Sequence, residues 1–457
     1  MLGLTLLGLR LQARDAIGGF VAIAAGQGAV YLVAVGLVWN AQPARQILVV
    51  ILAAAAILRL PVLLAPPYLS TDIYRYVWDG RVEAAGINPY RYIPVDPHLE
   101  RLRDDEIFPR INRNNYAPTI YPPAAEAIFF LVTRLSQSLV AMKAAMVVFE
   151  IVTIALLLRL LGEAALPPGR VLVYAWHPLP IWEFAGSGHI DAAMILFVVL
   201  AMWAAPRGRG WLCGLALAGA TLVKLYPALL LPALYRRSDL GGRDWRGWDW
   251  RGRDWRGWDW RGWGWRRWHW HMPAAFAAAV ILGYLPFIGV GSKLVGFLPG
   301  YAGEEGFTAD GAGFYPWSLL QRIPAFAGLS ALWYIGGSLV MLGLLALAVV
   351  FAPRCRDREF SGAALLAGTF MFLLSPHYPW YFAWLIVFAC FAPWLSLLWL
   401  TNASFLLYLV PVGSHLVESS HRLLVEGVIY GPFVALAMVD LRRRGRHRVE
   451  GHRVGGE

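Results

Sequence analysis

Apolar residues gather along this chain into blocks of roughly 17–25 positions, with charged and turn-forming residues between them. Helices of that length cross the ~30 Å hydrocarbon core of a bilayer. The blocks predict spans near 18–39, 46–66, 140–161, 171–185, 188–205, 211–235, 272–291, 328–352, 360–376, 380–393, 396–412 and 423–441. Lys224 and Pro227 fall inside the block 211–235, and a break there makes two short helices, so the expectation is twelve or thirteen spans. The fold class is therefore all-α: a polytopic membrane protein, one unit over residues 1–441 with a short basic tail, 442–457.

Composition agrees with this reading. Of 457 residues, 58% are hydrophobic, against about 45–50% in soluble domains. The formal charge of +11 would suggest nucleic acid in a soluble protein, but here the cations cluster at the ends of apolar blocks. That is the pattern of cytoplasmic loops under the positive-inside rule, and no nucleic-acid partner is expected. Three dispersed cysteines, Cys213, Cys355 and Cys390, give neither a disulfide framework nor a zinc site. Arg10, Arg14 and Asp15 precede the first long block, and no small-residue cleavage site follows a short apolar core, so the N-terminus does not read as a signal peptide.

Basic residues set the orientation. The tail with Arg442, Arg443, Arg444, Arg446 and Arg448, the group Arg354, Arg356 and Arg358, the pair Arg207 and Arg209, and the Arg-rich stretch after Tyr235 are expected on the cytoplasmic side. With the break at Lys224 these assignments agree with one another. They place loops 67–139, 186–187, 292–327, 375–379 and 413–422 on the opposite face, together with the N-terminus.

Residues 236–271 are of low complexity. The ten residues 242–251 recur unchanged at 252–261, and ten of the 22 tryptophans lie between Trp245 and Trp270. This reads as a tandem-duplicated cytoplasmic insertion with membrane-lipid contact as a side effect.

The loop 67–139 is far longer than a connector needs. Its start, Ser70-Thr71-Asp72, resembles a helix cap for a helix reaching about Ala85. Asp72 then occupies the first turn, where the helix dipole favours a carboxylate, with Arg75 and Asp79 on the same face. Asp96-Pro97 starts a second helix, and Tyr121-Pro122-Pro123 opens an apolar helix over 124–135, suited to the membrane interface.

The run from Leu69 to Arg81, continuing through Gly86-Ile87-Asn88-Pro89-Tyr90, resembles the first outer loop of GT-C glycosyltransferases. It is closest to the branch that uses polyprenol-phosphomannose. Further motifs follow in the expected order: Thr119-Ile120-Tyr121-Pro122-Pro123, His177-Pro178-Leu179, Glu183 through Gly188-His189-Ile190-Asp191, Leu222-Val223-Lys224-Leu225-Tyr226-Pro227, and Ser375 through Tyr381. The resemblance spans about residues 45–400. It implies a hexosyltransferase, with mannose first among the hexoses. The donor would be a polyprenyl-phosphate sugar and the acceptor a glycolipid or glycan. The enzyme would sit in a bacterial inner (plasma) membrane with its site facing outward. Asp72 matches the carboxylate that acts as base in this family. Relatives carry Asp-Asp or Asp-x-Asp where this chain has one Asp, so no metal or other cofactor is expected.

Transfer from a lipid phosphate needs a base for the acceptor hydroxyl and cations for the departing phosphate. Lys224 is the sharpest cation, because a lysine inside a span is costly unless paired or functional. Arg75, Arg81 and His377 are further candidates for the phosphate. His189, Asp191, Glu183, Tyr121 and Tyr378 are candidates for holding substrate. Each has a structural alternative: a capping Asp with an ion-paired Arg, a snorkelling Lys, a satisfied interfacial His, an aromatic belt. His415, Glu418 and His421 have metal-like spacing without a supporting ligand pattern. A transporter or flippase of lipid-linked sugars is the rival reading, although no internal repeat beyond 242–261 marks two similar halves.

Overall fold

The computed structural model describes residues 1–41, 45–235, 270–308, 311–352, 360–410 and 420–453, with side chains described to Arg444. The Arg/Trp repeat, Arg354, Arg356, Arg358, His415 and Glu418 lie outside the described residues. The protein is 76% helical and has no strand among the described residues.

Among the described residues, six helices are long and apolar enough to cross a membrane: Ile17–Val38, Arg45–Leu64, Leu139–Glu163, His271–Glu304, Ala331–Phe351 and Ser420–Arg444. Pro180–Gly186 and Asp191–Arg207 form a further broken span, bent by 118°. Shorter apolar helices of 10–17 residues, among them Gly210–Val223, Ser361–Leu374 and Leu395–Leu409, lie at other positions where spans were expected, against twelve or thirteen expected in all. The block 211–235 does split at Lys224. The helix ends at Val223, Lys224 is extended, and a 3-10 turn begins at Tyr226. The block 171–185 is resolved into a short helix, Leu172–Ala175, and a π-helical turn, Pro180–Gly186.

In chain order, α1 (Leu2–Gln12) precedes the first spans α2 (Ile17–Val38) and α3 (Arg45–Leu64). The loop between spans carries α4 (Asp72–Ala84) and α5 (Pro123–Leu135), and α6 (Leu139–Glu163) returns across the bundle. The short helix Leu172–Ala175 is α7; α8 (Asp191–Ala204) and α9 (Gly210–Val223) follow and pack against each other. The helix α1 was not foreseen in the sequence. It lies on α2, where the amide of Gln27 bridges Thr5 and the Trp182 indole.

The bundle is apolar on both its inner and outer faces, as a bilayer solvent requires. Phe20, Tyr31, Val198 and Trp384 are buried inside, while Val33, Leu37, Leu339 and Leu344 are exposed outside. Two buried cations between the first spans are partnered. Arg59 on α3 donates through Nε and Nη2 to Glu150 on α6, the shortest contact being 2.6 Å, and both side chains are buried. Lys143 donates to the carbonyls of Val62 and Ala65, two acceptors left open at the C-terminal end of α3.

Connectivity separates two ends of the bundle. The Tyr68 hydroxyl donates to Asp15, which ties the start of α2 to the end of α3 and to the loop carrying α4. At the far end, the Arg170 guanidinium lies over Trp39, Arg207 pairs with Glu163, and Arg444 donates to Ser361 and lies over Trp394. A 22-residue helix such as α2 separates these ends by about 33 Å. Arg170, Arg207 and Arg444 therefore lie opposite the large loop.

Within that loop, α4 begins at Asp72 as expected, and the Ser70 hydroxyl accepts from the Asp72 amide. Asp96 caps a 3-10 turn, Pro97–Leu102, through the His98 amide. Helix α5 lies directly on α4 at Gly80, where an added Cβ would fall 2.4 Å from the Phe129 carbonyl oxygen.

Removing one member of the Arg59–Glu150 pair leaves a buried charge without its partner, which costs about 3–5 kcal/mol. Glu150→Ala is expected to lower the thermal unfolding midpoint of the purified protein in detergent sharply. The double variant Arg59→Met/Glu150→Met is expected to recover most of the loss.

Candidate active site

A cavity of about 700 Å³ opens where the large loop meets the broken helices. This volume is in the range of small-ligand sites. One wall is the start of α4, with Asp72 and Arg75, and the loop residues Asn112 and Arg113. Lys224 and Tyr226 line another part, and Tyr301, His377, Tyr378 and Trp380 complete it from later in the chain.

Asp72 is held at this wall with its side chain 21% exposed. Its Oδ1 accepts from Asn112 Nδ2 at 2.7 Å, and its Oδ2 lies 3.9 Å from His189 Nδ1. Desolvation by the surrounding protein raises its pKa above the ordinary carboxylate value; Lys224, Arg113 and the Asn112 hydrogen bond offset this in part. A carboxyl whose folded pKa is raised contributes stability while protonated and loses it as pH rises through the raised value. The ionised form of Asp72 therefore stands in the fold at a cost in stability.

Lys224, with its side chain 12% exposed, reaches the cavity at the break after α9. Its Nζ lies 2.8 Å from Asp191 Oδ2 and 4.3 Å from the centre of the Tyr381 ring. Asp191 is buried at the first turn of α8, and the Tyr226 hydroxyl donates to its other oxygen at 3.2 Å. The carboxylate meets the positive end of one helix dipole and the ammonium the negative end of another, so each charge suits its place.

Behind Asp72 the chain breaks between the π-helical turn and α8. Gly188 has φ +76°, and a Cβ there would meet Ile73 Cδ1 at 2.6 Å and Lys143 Cγ at 3.1 Å. Gly188 thus lets the His189 loop close onto α4 beside Asp72. His189 is fully buried and stacks on Trp380 at 3.9 Å between ring centres. Its Nε2 is 3.5 Å from Glu183 Oε2, and the other Glu183 oxygen accepts from the Tyr408 hydroxyl at 2.8 Å.

Of the residues singled out in the sequence, Asp72, Arg75, Lys224, His377, Tyr121 and Tyr378 line the cavity. His189, Asp191 and Glu183 stand immediately behind its wall. Arg75 donates to Asp79 at 2.8 Å and to the Ala117 carbonyl, so its guanidinium is already engaged. Arg81 does not line the cavity. It pairs with Asp104 at 2.7 Å and donates to Gln137 and the Leu102 carbonyl, joining α4 to the rest of the large loop. His377 Nδ1 is 2.7 Å from Glu305 Oε2, and its Nε2 is 3.1 Å from the Gly313 carbonyl. His421 contacts the Leu409 carbonyl.

Sequence reasoning missed Asn112, Arg113, Glu304 and Glu305. Arg113 has φ +56°, its Nε donates to Glu304, and its side chain is 21% exposed. Together with the Phe297 amide donating to the Thr119 carbonyl, this contact joins the large loop to residues 297–305 across the cavity mouth. The signal available was a polar stretch, Asn112-Arg113-Asn114-Asn115, ending in an aromatic residue.

An all-helical membrane bundle with a carboxylate, a lysine and an arginine around one cavity at its end has the form of a membrane glycosyltransferase. Residues 9–236 match the family described as alpha-(1->6)-mannopyranosyltransferase, N-terminal domain. The chain belongs through this segment to that GT-C mannosyltransferase family, and it is an integral membrane mannosyltransferase. It matches no curated protein and no solved structure.

Gly188→Ala places a methyl against Ile73 and Lys143 at a backbone angle that L-residues rarely adopt. It is expected to cost about 1–3 kcal/mol, measured as a lowered unfolding midpoint in detergent. Gly26→Ala, where nothing lies within 4 Å, is expected to leave the midpoint unchanged.

Proposed function

We propose that the enzyme transfers mannose from a polyprenyl-phosphate donor to a hydroxyl of a glycolipid or growing glycan, in one displacement with Asp72 as base. The observation that carries this reading is the Asp72 carboxylate at a cavity wall, with Lys224 and Arg113 lining the same cavity. The acceptor oxygen attacks the anomeric carbon while its proton passes to Asp72. The bond from that carbon to the phosphate oxygen breaks, and its electron pair leaves with polyprenyl phosphate. The departing phosphate gains a negative charge, which Lys224 and Arg113 offset from within a partly dehydrated site. His377 stands at the same cavity as a further contact. Single displacement inverts the anomeric centre, so a β-linked donor yields an α-linked product. The family's description, which names α-(1→6)-mannopyranosyl transfer, supports mannose and an α product.

Sidedness follows from the two ends of the bundle. Arg170, Arg207 and Arg444 gather at the end opposite Asp72, and the positive-inside rule gives that end to the cytoplasm. The active site then faces away from the cytoplasm, where a lipid-linked sugar presents its headgroup in water and its isoprenoid chain in the bilayer. A bacterial inner membrane fits this arrangement.

The test is mannosyl transfer by purified protein in nanodiscs, with labelled polyprenyl-phosphate mannose and a pooled membrane-lipid acceptor. Asp72→Asn is expected to reduce turnover by about 10²–10⁴-fold with folding intact. Wild-type activity in that variant would remove Asp72 as base. Because desolvation raises the Asp72 pKa and only the ionised form accepts a proton, turnover is expected to fall with decreasing pH along a limb above the ordinary carboxylate range. Movement of lipid-linked mannose across a liposome bilayer without transfer would favour a flippase instead.

A further inference from the structure

Buried polar side chains normally find hydrogen-bond partners, and those that do not call for an explanation. Behind Asp72, both ring nitrogens of His189 and Oε2 of Glu183 lack such a partner among the described residues, and all three atoms are buried. They belong to one sequence of neighbouring groups. His189 Nδ1 is 3.9 Å from Asp72 Oδ2, His189 Nε2 is 3.5 Å from Glu183 Oε2, and Glu183 Oε1 accepts from Tyr408. The imidazole plane is fixed by Trp380 on its face. Its main chain is fixed by the His189 amide, which donates to the Glu183 carbonyl at 2.9 Å. Catalytic hydrogen bonds often reach their full strength only in the substrate complex.

We propose that His189 is a positioning residue for Asp72, and that Glu183 acts through His189 as a neutral carboxylic acid. This rests on the reading of Asp72 as base. Donor and acceptor roles along the series are mutually consistent. Tyr408 donates to Glu183, the Glu183 carboxylic proton is donated to His189 Nε2, and His189 Nδ1–H is donated to Asp72 Oδ2. With Asn112 on Oδ1, each carboxylate oxygen then has one donor. Two donors favour the ionised base within a cavity that otherwise penalises it, and they fix the carboxylate plane relative to the acceptor hydroxyl. The arrangement has the logic of a base–imidazole–acid series, with the acid neutral because no cation pairs with it among the described residues. His189 and Glu183 do not line the cavity, so their effect is on turnover rather than on donor binding.

The charged groups facing the pair are Lys224, Arg113 and Asp191. Tyr76, Tyr121, Tyr378, Tyr381 and Tyr408 also surround it. Lysine, arginine and tyrosine titrate in the alkaline range, which leaves the acid limb of the pH–rate profile to the carboxylates and His189.

The experiment measures pH–rate profiles and donor KM for wild type, His189→Phe, Glu183→Gln and Glu183→Met in nanodiscs, alongside Asp72→Asn. His189→Phe keeps the stack on Trp380 and removes both nitrogens. It is expected to move the acid limb upward by about one pH unit, with donor KM within about twofold of wild type. Glu183→Gln, which still presents an N–H to His189, is expected to hold the limb at its wild-type position. Glu183→Met is expected to move it as His189→Phe does, so the test survives if either of those two variants fails to fold. An unmoved limb in the folded His189→Phe or Glu183→Met variant, with Asp72→Asn inactive, overturns the positioning role and leaves Asp72 as base. A limb that moves in Glu183→Gln as far as in Glu183→Met overturns the neutral-acid role. Full activity in Asp72→Asn overturns both this inference and the reading beneath it.

Discussion

Lys224 and Asp191 meet at 2.8 Å where two helices stop. Neither helix continues through this point: α9 ends at Val223, and α8 begins at Asp191 after a 118° bend. A lone ammonium or carboxylate at such depth is expensive in a bilayer, and each is retained because the other is present. The pair ties α8 to α9 at the cavity floor, and the aromatic rings of Tyr226 and Tyr381 close around it. The breaks in these helices carry the same function. They bring a cation and the His189 loop to a place that an uninterrupted apolar helix would seal.

The proposed base is set from another part of the chain. Helix α4 presents Asp72 at its first turn and is pinned on several sides. Arg75 and Asp79 form an ion pair at 2.8 Å, Arg81 reaches Asp104, and Gly80 admits the backbone of α5. These contacts engage charged side chains within the large loop: Arg75 reaches the cavity wall already paired, and Arg81 stays away from it. A rigid second layer of this kind keeps a reacting group within the tolerance that catalysis needs. It also explains why a loop so rich in arginine contributes only some of its cations to the site.

Much of this architecture was legible in the sequence because its physics is local. Apolar runs give spans, Ser70-Thr71-Asp72 gives a helix start, and Lys224 with Pro227 gives a break. Asp72, Arg75, Lys224, His377, Tyr121 and Tyr378 stood out because their types and motif settings are unusual for a membrane chain, and all six line the cavity. Arg81 shows where such reading stops: its charge is visible in sequence, but its partner, Asp104, is fixed by the fold of the loop. Asn112 and Arg113 were missed for the same reason, since nothing periodic marks a loop residue that reaches Asp72 across 40 positions. The helix α1 escaped because it is too short to look like a span; its place depends on Gln27 and Trp182 from distant segments.

The family match ends at residue 236, and the cavity does not. Asp72, Asn112, Arg113 and Lys224 come from the matched half, whereas Tyr301, Glu304, His377, Tyr378 and Trp380 come from beyond it. The groups assigned to bond making and bond breaking are thus encoded in one half, and much of the remaining enclosure in the other. The two halves interlock at the cavity: Glu304 accepts from Arg113, Trp380 stacks on His189 and Tyr381 lies under Lys224, so exchange of residues 297–305 or 376–381 would disturb the proposed base and its cations along with the enclosure. The N-terminal half alone would hold the reactive groups in a vessel with one side missing.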